Sequence, residues 1–109
     1  MPSELSGLMK IVAERFESGS SVYPAIALLD AEQKRGFAIR HSVLHLSKTV
    51  GRLAAECESF DHGGSMNIAA LREAAVKMLI NTLKLADDLQ MSADELAAGI
   101  GAEQLRSIK

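Results

Sequence analysis

"FAIRHSVLHLSKTVGRLAAECESF" (Phe37–Phe60) decides how this chain folds. Ile39, Val43, Leu46, Val50, Leu53, Cys57 and Phe60 recur at steps of 4, 3, 4, 3, 4 and 3. That is a heptad seam on an α-helix, and alternation of period two is nowhere in it. As a helix the 24 residues span roughly 36 Å. The next segment repeats the pattern: Ile68, Leu71, Ala75, Met78, Thr82, Leu85 and Leu89 form a second seam. Between the two lies "DHGGSM" (Asp61–Met66), whose two glycines and small polar residues make a turn. Asn67 follows as an N-cap. Two matched seams joined by a short turn predict an antiparallel helical hairpin.

Shorter helices flank it. Ser3 is placed to cap a first helix with Leu5, Leu8, Met9, Val12 and Phe16 on one face. "SGSS" (Ser18–Ser21) breaks that pattern. Pro24 suits the first turn of a second helix running to about Arg35, with Gly36 as its stop or as a joint into the next helix. "SADE" (Ser92–Glu95) is a capping box opening a C-terminal helix, weakened by Gly99 and Gly101. The expectation is one all-α domain over 1–109, with two long central helices. Leu44, Leu79, Ile80 and Leu83 lie off the main seams and form second apolar flanks. Those flanks predict a homo-oligomer, a dimer or a tetramer.

Composition agrees with helices. Hydrophobic residues make up 48% and aromatics only 4%, with no Trp, so Ala, Leu, Ile and Met must fill the core. The net charge of −2 gives no global pull toward nucleic acid or an anionic membrane. "EQKRGFAIR" holds Lys34, Arg35 and Arg40 without interleaved aromatics, so nothing in it supports nucleic-acid binding. The single Cys57 excludes an intramolecular disulfide and suits a reducing cytoplasm. On the seam, it is expected as a buried small hydrophobe. The first twenty residues carry acids early and read as no signal peptide. No run approaches the roughly 20 apolar residues of a membrane span.

Polar residues of the third segment form a stripe of their own: His41, His45, Lys48 and Arg52, with Thr49 beside them. At 100° per residue the stripe is expected roughly opposite the apolar seam. Three readings are open: solvated surface, an anion site, or a metal site on His41 and His45, which at i, i+4 can share one ion. His62 would be a third ligand, but it lies 17 residues beyond His45, about 25 Å along a continuous helix. Thr82, in the middle of the second seam, is a polar defect able to bond back to the Met78 carbonyl.

"HLSKTVGRLAAECES" (His45–Ser59) and "AAVKMLINTLKLADDLQMSADEL" (Ala74–Leu96) resemble the two signature helices of the MazG-like, all-α nucleotide pyrophosphohydrolases. The resemblance implies a helical bundle, a nucleotide substrate and Mg²⁺ as cofactor. Members of that family carry H-L-x-E-E-x-G-E-L on one helix and E-x-x-D on the next. Anchored on His45, Leu46, Val50, Gly51 and Leu53, the family's first-helix acids fall at Lys48, Thr49 and Arg52. Anchored on Met78–Leu79, the second pair falls at Ala74 and Lys77. Mg²⁺ needs oxygen ligands, and ammonium and guanidinium groups have no lone pair to offer. The resemblance therefore implies a MazG-like protein without the Mg²⁺ carboxylates and with no cofactor. Such a protein would be a non-catalytic assembly module, or would hold a nucleotide or another phosphate anion on Lys48, Thr49, Arg52 and Lys77. The alternatives are an active Mg²⁺-dependent pyrophosphohydrolase with rearranged acids, using Glu56, Glu58 or Glu73, and a helical regulator unrelated to nucleotides.

Overall fold

The computed structural model describes residues 4–16 and 23–107, with side chains described to residue 103. Four α-helices and a single 3₁₀ turn account for nearly all of these residues: α1 Glu4–Arg15, the 3₁₀ turn Pro24–Leu28, α2 Ala31–Asp61, α3 Ile68–Asp88 and α4 Ala93–Ser107. Ser3 and Ser18–Ser21 lie outside the described residues. Among the described residues no helix is long and apolar enough to cross a membrane.

The helix at Pro24 does not run to Arg35. Its turn ends at Leu28, and Leu29 is extended (φ −84°, ψ 151°). A capping box then starts α2: Gln33 N–H donates to Asp30 Oδ1 at 2.8 Å, and Asp30 N–H donates to Gln33 Oε1 at 3.1 Å. Two orphan backbone donors are satisfied at once, which fixes the helix start at Ala31. Gly36 lies inside the helix and neither stops nor joints it. A mid-helix glycine costs about 1 kcal/mol, less than breaking a continuing ladder of hydrogen bonds.

At the other end of α2 the glycines are needed. Gly63 has φ +93°, its N–H donates to Phe60 O, and the Gly64 N–H donates to Ser59 O, both at 3.0 Å. This is a Schellman stop with glycine in its left-handed position. A Cβ on Gly64 would stand 2.9 Å from Ser59 O. Asn67 then caps α3, its side chain accepting from Ala70 N–H at 3.0 Å. The Thr82 hydroxyl donates to Met78 O at 2.8 Å. The same kind of stop ends α3, with Gln90 at φ +60°, Gln90 N–H to Asp87 O and Met91 N–H to Ala86 O, both at 2.9 Å. Ser92 and Glu95 close the expected capping box ahead of α4. That helix continues through Gly99 and Gly101.

Helices α2 and α3 pack side by side as the antiparallel pair, but not along the expected seams. On α2, Ser42 and Thr49 are buried and Leu46, Leu53 and Glu56 half-buried, while Val43, Val50, Cys57 and Phe60 are exposed. On α3, Ala74 is buried and Leu71, Met78, Asn81, Leu85 and Asp88 are half-buried. Ala75, Thr82 and Leu89 are exposed. Leu46, Leu53, Leu71, Met78 and Leu85 of the two heptads hold. At every other position the contact is made one residue earlier, by a polar or small side chain. Ser42 donates to Asp88 Oδ2, and Thr49 Oγ1 donates to Asn81 Oδ1 at 2.7 Å. Seven residues forward on α2 is seven residues back on α3, as antiparallel packing requires. Lys84 pairs with Asp88, their side chains 11% and 6% exposed, so the Ser42–Asp88–Lys84 group is an interior polar network. Rotating the helices to bury Val43 and Val50 would pull Ser42 and Thr49 from these partners.

The other side of α3 meets α1, and α4 packs against α1. Met9 and Val12 pack with Leu83 and Ala86, and Leu5, Ile80, Met91, Ala93 and Leu96 close around them. This cluster sits against the C-terminal half of α3. Farther back along that helix Val76 and Leu79 stay exposed.

Candidate functional site

Lys48, Thr49 and Arg52 of α2 and Lys77, 25 residues beyond Arg52 on α3, line a single cleft of about 380 Å³ where the two helices run side by side. The His41–Lys48–Arg52 stripe is therefore not opposite the packing seam. It flanks the Ser42–Thr49 line, because the true contact is displaced from the apolar seam by one residue. His45 and Asn81 also border the cleft, and Phe16 and Ile80 give it an apolar wall. Asn81 carries no sequence signal, and Phe16 was legible only as part of the apolar face of the first helix. Phe16 arrives from the end of α1, and Asn81 is placed by the register of α3.

The four residues play different physical parts. Thr49 is buried and its hydroxyl hydrogen is already given to Asn81, so it forms the floor. Lys48 and Arg52 are exposed, and neither takes part in the ion pairs seen among the described residues. Lys77 lies 3.9 Å from Glu73, with both side chains well solvated. Such a pair contributes little, so the ammonium is free to turn into the cleft. Three cations around one apolar-walled depression hold a concentrated positive field in a chain whose net charge is −2.

A second cleft of about 250 Å³ continues along the same groove. It shares Arg52 and Lys77 with the first and adds Glu56, Glu73 and Ala74. Glu56 and Glu73 are thereby brought together, whereas Glu58 points elsewhere and lies 3.7 Å from His62 at the exposed end of α2. His62 is not brought to His41 and His45. Cys57 is exposed rather than buried. Among the described residues no three His, Cys, Asp or Glu side chains are grouped closely enough to hold a metal ion.

On the other flank of Lys48 lies an open depression bordered by Tyr23, His41 and His45. His41 Nε2 is 2.6 Å from Tyr23 Oη and 3.0 Å from His45 Nε2. The Phe37 ring stacks on His41 with centroids 5.3 Å apart, and Tyr23 meets both rings edge-on. Burial holds the His41 imidazole below its ordinary proton affinity, and His45, Arg40, Lys48 and Lys84 push it the same way. The aromatic group pins the 3₁₀ turn to α2.

No protein family, no curated protein and no solved structure matches this chain.

Proposed function

We propose that this chain is a MazG-like helical protein that binds a nucleotide or a related phosphate anion in the α2–α3 groove without hydrolysing it, and acts as an oligomeric binding module. The observation that carries the reading is the meeting of Lys48, Arg52 and Lys77 around one cleft. Guanidinium and ammonium groups hold phosphate by charge-assisted hydrogen bonds with no bridging metal. Phe16 and Ile80 offer an apolar surface on which a base can rest, so the cleft has one wall for each half of a nucleotide.

Self-association is supported by surface area. The chain exposes 8092 Å², where a folded monomer of 11.7 kDa exposes about 5,900 Å². The excess is of the size that a stable protein interface buries. Its Cα radius of gyration is 16.9 Å, against about 13 Å for a compact chain of this length. Val43, Val50, Val76 and Leu79 are among the apolar side chains left about half exposed or more.

The test is thermal stability with phosphate, pyrophosphate and a nucleotide panel, in chelator. Stabilisation should reach about 2.7 kcal/mol at a hundredfold excess over Kd. It should fade with salt and disappear when Arg52 and Lys77 are both Ala. No stabilisation by any of these anions would remove the reading. One observation favours a second: Glu56 and Glu73 share the adjoining cleft. If Mg²⁺ or Mn²⁺ supports pyrophosphate release, and Glu56→Gln or Glu73→Gln abolishes it, the chain is a hydrolase with rearranged acids.

A further inference from the structure

We propose that His41 Nε2, His45 Nε2 and Tyr23 Oη form a three-donor site for one borderline transition-metal ion of the class Zn²⁺, Ni²⁺ or Cu²⁺. The site uses none of the phosphate cleft's cations, although His45 borders both depressions. Residues four apart on α2 stack on one face, so two imidazoles at 41 and 45 point the same way. Their Nε2 atoms are 3.0 Å apart. Two nitrogens bound to one tetrahedral ion at about 2.0–2.1 Å stand roughly 3.3 Å apart, so closing on a metal needs only a small spreading of the rings.

The third donor comes from outside the helix. Tyr23 directly precedes Pro24, which keeps it out of the helical region, at φ −124° and ψ 80°. That backbone carries Oη to 2.6 Å from His41 Nε2. Phe37, stacked on His41, holds the ring from the side away from His45. The donor set is thus oriented before any ion arrives.

Proton bookkeeping explains why an ion fits. In the tautomer that leaves both Nε2 atoms bare, the His41 lone pair lies within hydrogen-bond distance of the His45 lone pair and of the Tyr23 phenol, with one hydrogen among the three, and all three residues border one depression. A cation satisfies all three. Binding forms two N–metal bonds and one O–metal bond, and the phenolic proton leaves to water as the metal lowers its pKa. Imidazole and phenolate suit borderline metals, while Mg²⁺ keeps to hard oxygen ligands. Neither of the chain's remaining soft donors can compete locally. Cys57 and His62 are 12 and 17 residues beyond His45, about 18 and 25 Å along the helix.

The experiment is calorimetric titration of Zn²⁺, Ni²⁺ and Cu²⁺ into the metal-stripped full chain, with the visible spectrum of the Cu²⁺ form. One ion per chain is expected, with a phenolate-to-copper charge-transfer band. His45 is exposed, so His45→Ala leaves the fold intact by circular dichroism, and it should weaken binding by about a hundredfold or more. Tyr23→Phe should remove the visible band and weaken binding by about tenfold. His62→Ala, Cys57→Ser and the Arg52→Ala/Lys77→Ala pair should bind like wild type. The last of these separates this site from the phosphate cleft. No binding of any of the three metals overturns the proposal, and so does binding that survives His45→Ala. A band or affinity unchanged in Tyr23→Phe overturns the three-donor site.

Discussion

Replacing Lys84 with Met should destabilise the protein far more than an ordinary surface lysine would. Lys84 and Asp88 have side chains 11% and 6% exposed, and their contact lies where α2 meets α3. Removing the ammonium leaves a carboxylate in the interior with only Ser42 as a partner. Breaking one side of a buried pair costs about 3–5 kcal/mol, and the remaining Ser42 hydrogen bond puts this case near 3. For a chain of about 100 residues that is a fall in Tm of roughly 12 °C. Asp88→Asn should cost less, because the amide still accepts from Ser42 and the lysine stem can swing its charge toward water. The double variant Lys84→Met/Asp88→Asn removes both charges and should recover much of the loss. Urea and thermal unfolding at one fixed protein concentration would measure all four corners of the cycle. A Lys84→Met loss under about 1 kcal/mol, or strictly additive single variants, would show that the network is solvated and that the α2–α3 register is wrong.

Thr49→Val should cost about 1–3 kcal/mol in urea unfolding, because it leaves the Asn81 carbonyl oxygen without its donor although the shape is kept. Gln90→Gly should raise the Tm, since it relieves a left-handed residue at a cost of about 1 kcal/mol, whereas Gly63→Ala should lower it by a similar amount. Sedimentation should find a stable oligomer at micromolar concentration that Val50→Asp or Leu79→Asp converts to monomer with little loss of helicity, as both side chains are about half exposed in the single chain. A wild-type monomer would end that reading.

The fold class was legible in the sequence because local chemistry specifies it. Asn67 and the Ser92–Glu95 box mark two helix starts, Gly63 and Gly64 mark a stop, and the heptads between them have no strand periodicity. The box at Asp30–Gln33 was equally present, but Pro24 drew the helix start forward by seven residues. Gln90 hid the stop of α3 because any side chain can adopt the left-handed turn at modest cost. The gathering of Lys48, Thr49 and Arg52 with Lys77 needed the displaced register as well as the hairpin, because the apolar seams alone put the stripe on the far side of α2.

Register was another matter. Hydrophobicity ranks Val43 and Val50 above Ser42 and Thr49, and a periodicity count buries the former. Only the tertiary structure pairs Ser42 with Asp88 and Thr49 with Asn81, residues 46 and 32 positions apart in sequence. A buried hydroxyl is costly alone and tolerable when partnered, so its place depends on a partner that one helix cannot reveal. The same holds for Tyr23, which reaches His41 across 18 residues through the turn at Pro24. The sequence by itself determined which segments are helical and where most of them begin and end, since those signals lie within a few residues of each other. Which face each helix turns inward, and therefore which polar groups meet, was decided by long-range hydrogen bonds that exist only once the helices are packed.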